Sequence, residues 1–127
     1  MNNNEYTKQI EALIPTTFNN IYVIDMMSDL VLEYTYENQQ FVVKNNISFT
    51  NFYTELEKII HPEDLNGYIN SITVNNLEEI NNKGISFTRF EYRKKLSDGN
   101  YNWHTNVVKL INDGTKKAAL VLVENIN

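Results

Sequence analysis

Two Asp-Gly turns, Ser97-Asp98-Gly99-Asn100 and Asn112-Asp113-Gly114-Thr115, divide the last third of the chain into extended runs at 85–96, 101–111 and 116–124. Asp-Gly supplies the positive φ values that tight hairpins need, so these runs predict a three-stranded antiparallel meander. Residues 20–25 and 30–36, rich in Ile, Val, Leu and Tyr and parted by Ser28-Asp29, predict two earlier strands. Between the two groups the period changes. Phe49, Phe52, Tyr53, Leu56, Ile59 and Ile60 recur at helical spacing, with Ser48 or Thr50 placed to cap the first turn. A second helix begins at His61-Pro62-Glu63-Asp64 and continues through Leu65, Tyr68 and Ile69. Its proline lacks only an N–H that has no helical partner there, and its acids meet the positive helix end. Thr73 caps a third helix carrying Leu77 and Ile80 and ending near Gly84. This order specifies an α+β domain, one antiparallel sheet with short helices on one face. The chain has no glycine fingerprint for phosphate, which argues against a doubly wound sheet.

A chain of 127 residues fits one domain and buries roughly two thirds of the surface exposed by its unfolded form, enough for a core without staples. The absence of Cys excludes a disulfide scaffold, a thiol nucleophile, a Cys-ligated metal and a cysteinyl flavin adduct. Lys and Arg number 11 against 16 Asp and Glu, and the basic clusters Arg93-Lys94-Lys95 and Lys116-Lys117 are short and lie beside turns. They read as solubilising surface, so no nucleic-acid partner is expected. No run approaches the roughly 20 apolar residues of a membrane span, and the Asn-rich start differs from a signal peptide. The expectation is a cytoplasmic domain that does not itself enter a membrane, whether or not a parent protein is anchored.

Tyr6, Ile10, Leu13 and Ile14 form a weak amphipathic stripe over residues 5–14, closed by Pro15. So short a helix needs its apolar side covered, and two readings stand: it packs on its own domain, or it pairs with a second copy. Met26 and Met27 read as core filling, with a pocket lining as the alternative.

The chemistry-bearing residues are sparse. His61 and His104 are the only histidines, and without Cys they make a poor metal site, so no metal is assigned. Glu91 and Arg93 share one strand face, opposite Phe90 and Tyr92, and can pair with each other or with a neighbouring strand. No catalytic residues are assigned. The many aromatics, among them Tyr22, Tyr34, Phe49, Phe87, Tyr101 and Trp103, either fill a core or line a cavity between sheet and helices.

The combination His61-Pro62-Glu63-Asp64, Glu91-Tyr92-Arg93, Asp98-Gly99 and Trp103 resembles a PAS domain over residues 18–126. The resemblance implies a five-stranded antiparallel sheet in the order 2-1-5-4-3 over residues 18–127, preceded by a flanking helix and connector at 1–17. It further implies a non-catalytic sensory input domain, a homodimer covalently attached to an output domain such as a diguanylate cyclase or kinase, in a bacterial signalling protein. Glu124 and Asn125 stand where such domains couple their last strand to an outgoing helix, with Asn125 replacing a frequent acid. The flavin-adduct Cys is missing and His61 is a poor match to a haem ligand, so the cofactor stays open and a noncovalent small organic ligand is allowed. Candidate pocket residues are Ile24, Met26, Phe52, Leu56 and Tyr92. A ligand-free dimerisation or protein-interaction module is the alternative, and a small enzyme built around His61 or His104 is a third reading.

Overall fold

The computed structural model describes residues 20–112 and 114–125. The expected helix over 5–14 lies outside them. In chain order the elements are β1 (Asn20–Asp25), β2 (Leu30–Glu37), β3 (Gln40–Ile47), α1 (Phe49–Ile59), α2 (Pro62–Ser71), α3 (Val74–Asn82), β4 (Thr88–Lys95), β5 (Tyr101–Asn112) and β6 (Lys117–Asn125). The α+β class holds. The strands form one antiparallel sheet in the order β3-β2-β1-β6-β5-β4.

That order corrects the expected five-stranded sheet of order 2-1-5-4-3. A sixth strand, β3, adds to the β2 edge, while the remaining five lie as β2-β1-β6-β5-β4. The hairpin into β3 turns on Asn38 and Gln39, whose φ values of 51° and 65° are both left-handed. A two-residue hairpin of the primed type requires this pair of conformations. The β2–β3 register then shifts between Glu33 and Tyr34, a bulge that interrupts strict alternation along the pair. Strand β4 also starts at Thr88 rather than 85.

The helix starts follow local chemistry. Ser48 Oγ accepts from Asn51 N at 3.0 Å, and Thr73 Oγ1 accepts from Asn76 N at 3.2 Å. Thr50 instead ties α1 to the β1–β2 turn, donating from N and Oγ1 to Asp29 Oδ1 at 2.9 and 3.1 Å. Phe52 and Leu56 of α1, Tyr68 of α2 and Leu77 of α3 are buried together with Ile24, Val31, Tyr92, Val108 and Val121 of the sheet. The helices therefore all serve the inner sheet face. A second buried cluster occupies the outer face, including Val23, Leu32, Leu120 and Leu122.

Candidate functional site

Where α1 and α2 cross the inner face they enclose a cavity of about 200 Å³, lined by Tyr22, Phe52, Leu56, Tyr68 and Tyr92 among others. Three of the pocket residues expected from sequence, Phe52, Leu56 and Tyr92, meet here. Ile24 and Met26 do not. They line a separate cleft of about 550 Å³ at the far end of the sheet, between the β1–β2 turn, the start of α3 and the start of β6. Met26 is half-buried against the inner core, but Met27 is 93% exposed, which corrects its assignment to core filling.

Tyr92 is buried at the centre of an aromatic group. Its ring lies 5.0 Å from Tyr68 in an edge-on arrangement, 6.2 Å from Phe90 and 5.9 Å from His104, both stacked. Its hydroxyl donates to Asn106 Oδ1 at 2.9 Å. Asn106 is fully buried in β5, and its Nδ2 makes no hydrogen bond of good geometry, although the amide lies close enough to the Tyr68 hydroxyl to act on its pKa. An unmatched buried donor costs about 1–3 kcal/mol, and Asp25 Oδ2 is likewise buried without a partner. Burial raises Tyr92 and Tyr22 far above the ordinary tyrosine range. It pushes Tyr68 up to about 12, against the opposing pull of the nearby Asn106 amide. All three hydroxyls stay protonated across the physiological range, so they serve as neutral donors and acceptors and not as bases.

The His-Pro-Glu-Asp segment performs a different task. His61 caps α2, its Nδ1 accepting from Glu63 N at 3.1 Å, with Pro62 in the first turn. Arg93 reaches back from edge strand β4 and grips Asp64 in a fork, Nε to Oδ2 and Nη2 to Oδ1, both at 2.9 Å. Arg93 N also donates to Asp64 Oδ2 at 2.8 Å, while His61 N donates to Arg93 O at 2.9 Å. Glu63 adds a 3.2 Å contact to the guanidinium. These bonds occupy backbone groups on the outer side of β4, so the start of α2 closes this sheet edge. The guanidinium hydrogen bond holds the Asp64 carboxyl below the usual range, and the same carboxylates raise Arg93. Glu91, the alternative partner expected for Arg93, is exposed and takes no part in this grip.

Trp103 stands beside Arg93, whose guanidinium carbon lies 5.4 Å from the indole centroid. Asp98 accepts from Asn100 N at 2.9 Å and Gly99 has φ 89°, so this pair builds the β4–β5 turn. His104 is buried beneath Tyr92, and burial lowers its pKa against an opposing hydrogen bond to the Asn102 carbonyl. His61 lies against Tyr101 instead, with 5.0 Å between ring centroids and the planes tilted by 55°. Glu124 is half-buried in β6, and Asn125 pairs through its backbone with His104.

Among the described residues no group of three His, Cys, Asp or Glu side chains is placed to hold a metal ion, and no helix is long and apolar enough to cross a membrane. Sequence reasoning missed Tyr68 as part of the cavity lining, and Asn106 as the buried partner of Tyr92 behind it. The available signal for Asn106 was its inward register, two residues before Val108 on the same strand face. Compared with models of protein families, with curated proteins and with solved structures, the chain matches none.

Proposed function

We propose that this chain is a non-catalytic sensory input domain of the PAS type, whose interior takes a small organic molecule and passes the change to an attached output domain. The observation that carries this reading is the cavity lined by Tyr68 and Tyr92, behind which Asn106 Nδ2 lies buried without a hydrogen-bond partner. A ligand acceptor bound there satisfies the amide and shifts Tyr68, hence α2, relative to β5. Strand β5 pairs along its length with β6, which carries Glu124 and Asn125 toward the end of the chain. The small cavity limits the ligand to few heavy atoms, since cavities for drug-sized ligands usually span about 300–1,000 Å³. In the same reading the domain works as a cytoplasmic homodimer joined to a bacterial signalling output such as a diguanylate cyclase.

The small cavity specifically favours one second reading, a ligand-free interaction module. Thermal unfolding separates the two. Freshly purified protein is compared with protein unfolded in denaturant, dialysed and refolded to the same circular dichroism. A ligand retained at about 100 times its Kd stabilises by roughly 2.7 kcal/mol. For 127 residues at about 2.1 cal/mol/K each, that raises the midpoint by about 10 °C. A higher midpoint before stripping is the expected result. Equal midpoints would favour the ligand-free module.

A further inference from the structure

The cleft at the end of β1 is larger than the interior cavity, about 550 Å³ against about 200 Å³, and falls within the range of about 300–1,000 Å³ usual for sites that enclose a small molecule. Its floor is apolar, with Ile24 and Ile72 each 1% exposed. Met26 and Val74 add half-buried walls, and Met27 stands 93% exposed at the rim, where a bound molecule would cover it.

Polar groups of two opposite kinds meet this apolar surface. Asp25, the last residue of β1, is 2% exposed and lines the cleft. Its Oδ1 accepts from Ser28 N at 3.1 Å, but Oδ2 is buried without a partner. A carboxylate oxygen withdrawn from water needs a donor, and a cationic donor satisfies it best. Another wall is the start of α3, where Thr73, Val74 and Asn75 line the cleft. Thr73 Oγ1 accepts from Asn76 N and Thr73 O from Leu77 N. The N–H groups of Val74 and Asn75 are therefore the ones that helix geometry leaves without an intrahelical partner, and with the helix dipole they favour an anion. Lys116 brings positive charge to the same cleft, its Nζ donating to Ser28 Oγ at 2.9 Å, whereas Lys117 donates to Glu78.

We propose that this cleft is a second binding site, one that takes a small zwitterion with an apolar body: a free amino acid with an apolar side chain. Its ammonium faces Asp25 Oδ2, its carboxylate faces the Val74 and Asn75 N–H groups and Lys116, and its side chain covers Ile24, Met26 and Ile72. An anion alone would leave Asp25 unmatched and beside like charge, and a cation alone would meet Lys116 and the positive end of α3. A ligand with both charges answers both walls. Tyr68 and Tyr92 line the interior cavity and not this cleft, so the two sites can be told apart.

Calorimetric titration with L-leucine, L-methionine and L-phenylalanine, followed by amide spectra of isotope-labelled protein, tests the assignment. At least one of them should bind with a Kd of about 1 mM or tighter and shift the amides of Ser28, Val74 and Asn75 more than those of Tyr68 and Tyr92. Its methyl ester and its N-acetyl derivative should each bind about tenfold more weakly, the loss of one charge-assisted contact. Two variants place the contacts. Asp25→Asn keeps an oxygen for Ser28 N but gives up the charge. Val74→Pro removes one N–H at a first helical position that proline fits, since Thr73 before it is extended at φ -75° and ψ 141°. Each should weaken the amino acid by about tenfold while leaving the amide shifts around the interior cavity in place. No binding by any of the three, shifts centred on Tyr68 and Tyr92, or an affinity indifferent to masking either charge would overturn the inference. The masked compounds act on wild-type protein, so that result stands even where a variant fails to fold.

Discussion

Replacing Tyr92 by phenylalanine isolates the polar contact on which the interior site depends. Tyr92 is 2% exposed and donates to an asparagine that is 0% exposed. Losing the hydroxyl leaves the Asn106 side chain with neither its oxygen nor its Nδ2 partnered, a cost of about 1–3 kcal/mol. Asn106→Val strands the Tyr92 hydroxyl instead, with a similar expected loss. Making both changes removes donor and acceptor together, which is close to neutral for a buried pair. The double variant should therefore be more stable than either single one, with a coupling of about 1–3 kcal/mol. For 127 residues the unfolding entropy is about 0.27 kcal/mol/K, so Tyr92→Phe lowers the midpoint by about 4–11 °C. Urea titrations measure the same cycle, provided the m value is unchanged between variants. Additive losses, with the double variant least stable of the set, would refute the reasoning.

Other parts of the fold make equally definite predictions. A Cβ added to Gly67 in α2 would lie 2.6 Å from Phe90 Cζ, so Gly67→Ala should lower the thermal midpoint despite the roughly 0.5–1 kcal/mol that alanine gains at an open helix site; the loss should vanish beside Phe90→Leu, whose side chain ends short of the clash. Asp64 has a depressed pKa in the fold, so its contribution is present above its unfolded value near 3.9 and is lost as pH falls through the lower folded value. Asp64→Asn should therefore flatten the acid limb of a stability-versus-pH curve. His104 is also lowered, chiefly by burial, so the unfolded state binds the proton more readily and stability declines as pH falls from about 6.5. His104→Gln should remove that decline. Leu77 on the inner side of α3 is 1% exposed, and Leu77→Ala should cost about 2–5 kcal/mol in urea unfolding.

The helix starts at Ser48, Pro62 and Thr73 were legible because a cap or a first-turn proline acts within three residues of itself. Both Asp-Gly turns were legible for the same reason. Strand β3 was hidden because Asn38-Gln39 adopts left-handed φ values without glycine, and because the bulge at Glu33/Tyr34 breaks the alternation that marks a strand pair. The Arg93–Asp64 grip spans 29 positions, so no local spacing announces it. Sequence allowed Arg93 several partners, and the crossing of α2 over the β4 edge selects one. Asn106 reads by polarity as a surface residue, yet its register turns it inward. Alternation separates the two faces of each strand but says nothing of what lies over them, so it does not part Ile24 and Met26 from Phe52, Leu56 and Tyr92, which line a different space.

Native mass spectrometry of freshly purified wild-type protein and of Asn106→Val, each followed by a denaturing run, tests the interior site most directly. The account predicts a small extra mass on the wild type that is lost on denaturation, and no such mass on the variant. Bare protein mass in both samples, or the same extra mass on both, would contradict a ligand held by the Asn106 amide.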